Sequence, residues 1–281
     1  PDVLIMTLET VSPQTLSPGV GEPPAGALVA ESLDDFDSVD ESLVFPRGAA
    51  PEIHNITQIA PRTFNFALRY RGNPWSPLNP RGTRGAWYDG DRDLQWNEGK
   101  RDGTYHDKSR AEVCCLRGVG TRKGSLQYDA GTTWDIATTV RLDPKFKPSD
   151  SYCNIMQPVF DQSFLTLVAL SGDTVTAELT VFTGGKIGSA QKVVRRFAMR
   201  RGDWTSIVVR VTFARNGLYQ CSVNGDAFQG DTRLYTLAVR PSSMPLRSKW
   251  GLYETATRDV NGQPMTDNAV QHRNVYVRRV A

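Results

Sequence analysis

Three short stretches of this 281-residue chain concentrate side chains that can hold an anionic group and move a proton. They are Ser109-Arg110-Ala111-Glu112-Val113, Asn154-Ile155-Met156-Gln157-Pro158-Val159 and Lys249-Trp250-Gly251-Leu252-Tyr253. All three read as strands, in which successive side chains point to opposite faces. Period two puts Arg110, Glu112 and Cys114 on one face, Gln157 and Val159 on one face, and Lys249, Gly251 and Tyr253 on one face. If those faces line one concave surface, a guanidinium, an amide, an ammonium and a phenol converge. Such a set can neutralise or hydrogen-bond a carboxylate and supply general acid and base groups. Tyr253 can serve as acid, base or both, because a nearby cation such as Lys249 or Arg110 favours the phenolate. Of the three histidines, His106 in Thr104-Tyr105-His106-Asp107 lies just before the Arg110 stretch, whereas His54 and His272 have no comparable neighbourhood. Plainer roles fit the same residues. Arg110 and Glu112 can form an ion pair that holds the sheet, Gln157 can be a satisfied core amide, Tyr253 an amphipathic edge residue and His106 a loop histidine.

These stretches need a scaffold, and the chain around them is β-like. Strands are expected over Thr63–Tyr70, Ala111–Leu116, Thr133–Leu142, Cys153–Phe160, Phe164–Leu170, Thr174–Phe182 and Val193–Met199. Five more are expected over Trp204–Phe213, Leu218–Val223, Leu234–Val239, Lys249–Tyr253 and Asn274–Val280. Turn signals at Ser171-Gly172-Asp173, Asn216-Gly217 and Asn224-Gly225 separate them. No segment keeps a 3.6-residue apolar period. Many short strands without helical crossovers predict an all-β fold, an antiparallel β-sandwich jelly roll. The organisation expected is an irregular N-terminal arm over residues 1–50, rich in Pro and Gly and then acidic, followed by one jelly-roll domain over 51–281. The arm is expected to pack extended on the domain or on a partner subunit.

Composition narrows the partners. Hydrophobic residues make up 39% and charged residues 22%, ordinary for a folded chain, so disorder throughout is excluded. The balance of 33 Lys and Arg against 30 Asp and Glu is too even to imply nucleic acid. No apolar run approaches the ~18 residues of a spanning helix, so neither a nucleic-acid nor a membrane partner is expected. Arg195, Arg196, Arg200 and Arg201 cluster, and a neutral average can hide a basic groove suited to an anionic ligand. Cys114, Cys115, Cys153 and Cys221 form no CxxC pair, which argues against zinc; one bridge or buried thiols both fit. Asp89-Gly90-Asp91-Arg92-Asp93 opens like a calcium loop, but Leu94 stands at the turn glycine and Lys100 at the bidentate glutamate. A structural calcium ion is thus an option of the sequence, and no metal is expected in the chemistry.

The segment Gly202-Asp203-Trp204 through Asn224-Gly225 reads as two antiparallel strands joined by one turn and closed by another. It resembles the concanavalin-like, lectin-like jelly roll. Within that fold, the three opening stretches resemble the landmarks of jelly-roll polysaccharide lyases, the group of glucuronan, alginate and heparin lyases. Those landmarks are an Arg-x-Glu strand, a strand with Gln (often Gln-x-His) and a late Lys-x-Gly-x-Tyr strand. They occur here in family order within 105–281. The resemblance implies β-elimination on a uronate-containing anionic polysaccharide, with no cofactor required. Gln157 and Arg110 would neutralise the C6 carboxylate, Tyr253 and His106 would exchange protons, and Lys249 and Glu112 would contact substrate. It also implies a secreted or extracellular location. Two positions depart from the alginate-lyase form. Val159 stands where it has His, and Cys114 where a second Arg is common. His106 is the substitute imidazole, and glucuronan lyases are similar in drawing their His from before the Arg-x-Glu strand. The alternative is a non-catalytic carbohydrate-binding or structural jelly-roll protein, such as a virion or tail decoration, which the long arm favours. A glycoside hydrolase would need a close carboxylate pair, and the Glu-x-Asp-x-x-Glu signature is absent.

Overall fold

Alternation of apolar and polar residues dominates the chain. In Thr174–Phe182, for example, Val175, Ala177, Leu179 and Val181 are buried while Thr174, Thr176, Glu178 and Thr180 are only partly so. A strand with one wet face must pack its dry face on another layer. The structure, a computed structural model, describes residues 19–40, 56–68, 108–116, 128, 130–150, 153–159, 162–183, 190–214, 216–230, 248–255, 259–262 and 267–281; of 37–40, 108–110, 115 and 255 it describes the backbone.

Among the described residues are fourteen strands: β1 Leu28–Val29, β2 Phe36–Asp40, β3 Ile56–Ala60, β4 Thr63–Leu68, β5 Lys108–Leu116, β6 Thr133–Leu142, β7 Cys153–Val159, β8 Ser163–Ser171, β9 Thr174–Phe182, β10 Gln191–Arg200, β11 Trp204–Thr212, β12 Tyr219–Val223, β13 Lys249–Thr255 and β14 Asn268–Arg279. They form two antiparallel seven-stranded sheets. The first runs β12-β11-β6-β14-β4-β3, with β1 added to β14; the second runs β10-β9-β8-β7-β13-β5-β2. This is the expected all-β sandwich jelly roll. The expected hairpin is β11 and β12, with Ile207 opposite Val223 and Val211 opposite Tyr219. Its closing turn has Asn224 and Gly225 both at positive φ, 52° and 79°, which suits the twist of a two-residue hairpin. The expected strand over Leu234–Val239 lies outside the described residues.

The core lies between the sheets. Phe64 and Phe66 of β4 and Ile136, Val140 and Leu142 of β6 face Trp250 and Leu252 of β13 and Ala111 and Val113 of β5, all fully buried. The part of the N-terminal segment that is described, 19–40, is built into this sandwich. Phe36 at the start of β2 meets Phe64 edge-on, ring centroids 5.4 Å apart, and lies 6.2 Å from Trp250. β2 forms the edge of the second sheet beside β5, and β1 pairs with β14 in the first. Upstream, the chain crosses the outer face of the first sheet, where Asn274 donates to the Gly21 carbonyl at 3.1 Å. Gly21 has φ +83°, and a Cβ there would fall 2.3 Å from Thr139 Oγ1, so only glycine fits. Cys153 and Cys221 are buried free thiols.

Candidate active site

Three adjacent strands of the second sheet, β7, β13 and β5, carry the three sequence stretches. The β13–β5 ladder is regular: Lys249 stands opposite Cys114, Gly251 opposite Glu112 and Tyr253 opposite Arg110. Ala111, Val113, Trp250 and Leu252, the residues between, enter the core. The opposite face therefore carries Glu112, Lys249 and Tyr253, as period two requires.

On the other side of β13 the period breaks. Lys249 faces Gln157 and Trp250 faces Met156, but Tyr253 faces Asn154. Two residues of β13, Gly251 and Leu252, thus oppose one residue of β7, Ile155, which is a β-bulge. Gly251 makes it possible. Its φ is +141°, and a Cβ there would lie 2.2 Å from the Ala111 carbonyl oxygen and 2.7 Å from Glu112 Cα. The bulge brings Asn154 and Gln157, three residues apart, onto one face. A second irregularity follows, where Met156 pairs with Leu165 and Val159 with Ser163. Proline cannot donate to a ladder and sits at such places. Pro158 lies in this irregularity, and Val159 turns into the hydrophobic core. The expectation that Gln157 and Val159 share a face is therefore corrected.

The face holds a tight polar cluster. Gln157 Nε2 donates to Glu112 Oε1 at 2.6 Å, and Lys249 Nζ lies 3.4 Å from Glu112 Oε2. Glu112 and Gln157 are each 1% exposed and Lys249 and Tyr253 6%. A carboxylate this buried needs a counter-charge and hydrogen bonds, and Lys249 and Gln157 supply them. A carboxylate oxygen can only accept, so the Gln157 amide nitrogen must face Glu112; its Oε1 is buried without a hydrogen-bond partner among the described residues. Asn154 is fully buried, accepts from Thr166 Oγ1 at 2.7 Å, and its Nδ2 has no partner among the described residues. The arrangement offers amide, ammonium and phenol groups on two neighbouring strands, β7 and β13, able to hold an anion and move a proton beside it.

The row continues away from β13. Thr166 stands opposite Asn154, Glu178 opposite Thr166 and Arg196 opposite Glu178. Arg196 Nε donates to Glu178 Oε1 at 2.6 Å. At about 4.8 Å per strand, the row from Tyr253 to Arg196 spans roughly 19 Å. The clustered arginines are individually engaged rather than forming an open basic patch. Arg195 pairs with Asp226 and donates to the Cys221 carbonyl, Arg200 pairs with Asp173, and Arg201 donates to the Gly172 carbonyl.

Of the remaining sequence candidates, His106 and the Asp89–Asp93 stretch lie outside the described residues, as does the Arg110 side chain, whose backbone stands opposite Tyr253. No group of three or more His, Cys, Asp or Glu suited to a metal occurs among the described residues. His272 is fully buried in the core, 3.0 Å from Thr138 Oγ1 and edge-on to Phe66. Burial pushes its pKa down to about 3, against a smaller upward pull from the Gly251 backbone. Sequence reasoning missed Asn154, Thr166 and Glu178. Gly251 was the available signal, because a glycine inside a strand often marks a bulge.

No protein-family model matches the chain, and no curated protein sequence matches it. Solved structures do share its architecture. An endo-β-1,4-glucuronan lyase from the fungus Trichoderma reesei superposes with a TM-score of 0.52 and 14% identity, over 89% of this chain and 93% of that one. An alginate lyase from Pseudomonas aeruginosa gives 0.51 and 16%, over 88% and 99%. A family 7 alginate lyase in complex with product gives 0.51 and 12%, over 91% and 100%. The chain thus has the jelly-roll fold of these polysaccharide lyases.

Proposed function

We propose that the chain is a polysaccharide lyase that cleaves a uronate-containing anionic polysaccharide by β-elimination. The observation that carries this reading is the convergence of Gln157, Lys249 and Tyr253 on one face of two adjacent strands, β7 and β13, in a fold shared with polysaccharide lyases. Fold by itself does not decide function; the side chains on this face fit the reaction's needs.

In the proposed reaction, Gln157, Arg110 and Lys249 take up the charge of the C6 carboxylate, which makes the C5 proton acidic enough to remove. A base accepts that proton, the C4–O4 bond breaks, a C4=C5 double bond forms, and an acid protonates O4. Tyr253 and His106 share these transfers. Glu112 holds Gln157 and Lys249 in place, since it bonds both. Every step uses side chains of the chain itself. A polymeric substrate fits action outside the cell.

The test is incubation of the purified protein with a panel of polyuronates and glycosaminoglycans while following the ultraviolet absorbance of the new unsaturated uronate. Growth of that signal on at least one polymer is expected. No signal on any of them would sink the enzyme reading and leave a glycan-binding or structural jelly roll.

A further inference from the structure

We infer that Asn154 is a second carboxylate-receiving amide of this site, a substrate-binding residue beside Tyr253. The inference rests on the proposed uronate substrate and extends it to a residue that the landmark spacing does not include. Four observations support it. The bulge at Gly251 and Leu252 sets Asn154 directly opposite Tyr253, on the face that carries Gln157 and Lys249. Thr166 Oγ1 donates to Asn154 Oδ1 at 2.7 Å, which fixes the amide and commits its oxygen. The residue is fully buried, and Nδ2 has no partner among the described residues. Gln157, by contrast, already directs its amide nitrogen to Glu112 at 2.6 Å, and among the described residues the atom there without a partner is the acceptor Oε1.

The two amides thus offer complementary ends. Asn154 has both N–H groups of its amide unspent among the described residues, whereas Gln157 commits one N–H to Glu112 and keeps the other for a carboxylate, beside a carbonyl oxygen that can accept from a sugar hydroxyl. A uronate residue presents the matching pair, a carboxylate that accepts and hydroxyls that donate. A buried donor without a partner is unfavourable in the free protein. An anionic acceptor brought to it forms a charge-assisted hydrogen bond, stronger than a neutral one. A bond to the carboxylate also strengthens as C5 loses its proton and charge moves onto those oxygens, so it aids turnover as well as binding.

The experiment compares binding of saturated tetraglucuronate with binding of its carboxyl-reduced form. Asn154→Asp keeps the shape and still accepts from Thr166, but it replaces the donor by an anion. Thr166→Val keeps Asn154 and releases its orientation. For Asn154→Asp, affinity for tetraglucuronate is expected to fall about 10- to 100-fold, with little change for the reduced oligomer. Thr166→Val should show a smaller loss with the same selectivity. Equal losses on both ligands, or no loss, would overturn the inference. The wild-type protein offers a direct readout that does not depend on either variant folding. The side-chain amide NMR signals of Asn154 should shift on titration with tetraglucuronate and stay put with the reduced form. Signals that do not respond, or a wild type that does not bind tetraglucuronate, overturn the inference as well. Failure here with cleavage of a polyuronate intact removes Asn154 alone; absence of cleavage across the panel removes the lyase reading.

Discussion

Tyr253 and Glu112 differ at the scale of single residues in what they would contribute to the proposed reaction. Glu112 is buried and makes contact with both Gln157 and Lys249, so in the proposed reaction it organises those donors. Tyr253 lies on the same face, four residues from Lys249, and brings the only phenol of the three landmark stretches. Tyr253→Phe removes the hydroxyl and keeps nearly all the ring. If Tyr253 is the proton carrier, turnover on the polymer that the wild type cleaves should drop by about 100- to 10,000-fold, the usual worth of general acid–base catalysis. Affinity for a saturated oligomer should hardly change, because the ring still covers the same surface. Full activity in the variant would move the role to another group, with His106 first in line.

At the scale of elements, the site depends on one irregular ladder. A regular β7–β13 pairing would put residues at even spacing on the face and Asn154 into the core. The bulge at Gly251 reverses that, and the backbone there adopts φ +141°. Any side chain at this position would press on the Ala111 carbonyl oxygen and Glu112 Cα. Gly251→Ala is therefore expected to lower the unfolding free energy by at least about 1–3 kcal/mol from the backbone alone, and to shift Tyr253 relative to Lys249. Urea denaturation measures the first effect and the eliminase assay the second. A variant with wild-type stability and turnover would show that the bulge tolerates a side chain and does not set the site.

For the whole molecule, the sandwich pairs the outer face that carries the candidate site on one sheet with a core shared by both. His272 sits in that core as a neutral imidazole. Its folded pKa is about 3 against an ordinary 6.5. The unfolded chain therefore takes up a proton below about pH 6.5 that the native state refuses. Stability is fully present above that pH and declines as pH falls toward 3, by about 1.4 kcal/mol per pH unit for one proton. Urea midpoints at pH 7.5 and pH 5 should differ for the wild type, and His272→Gln should remove most of the difference while lowering stability at both. An unchanged pH slope in His272→Gln would show that another group carries the acid sensitivity.

Much of this architecture is legible in the residues themselves. Thr133–Leu142 and Thr174–Phe182 form strands over the expected spans, because alternation and β-branching are local properties that a sheet only has to accept. The facing of Glu112, Lys249 and Tyr253 is equally local, since β13 and β5 pair without a slip. The strands β1, β2 and β3 lie outside the expected set. Leu28–Val29 and Phe36–Asp40 are too short or too acidic to announce themselves, and they become strands because β14 and β5 offer open edges. The tertiary structure also decides which side chains join the site. A bulge is a mismatch between two strands, and period two read along either one cannot show it. Asn154 enters and Val159 leaves for that reason. By itself the sequence determined an antiparallel sandwich and an amide, ammonium and phenol on its strands. Only the pairing of those strands decided which atoms are satisfied and which remain available, because that depends on neighbours far apart in the chain.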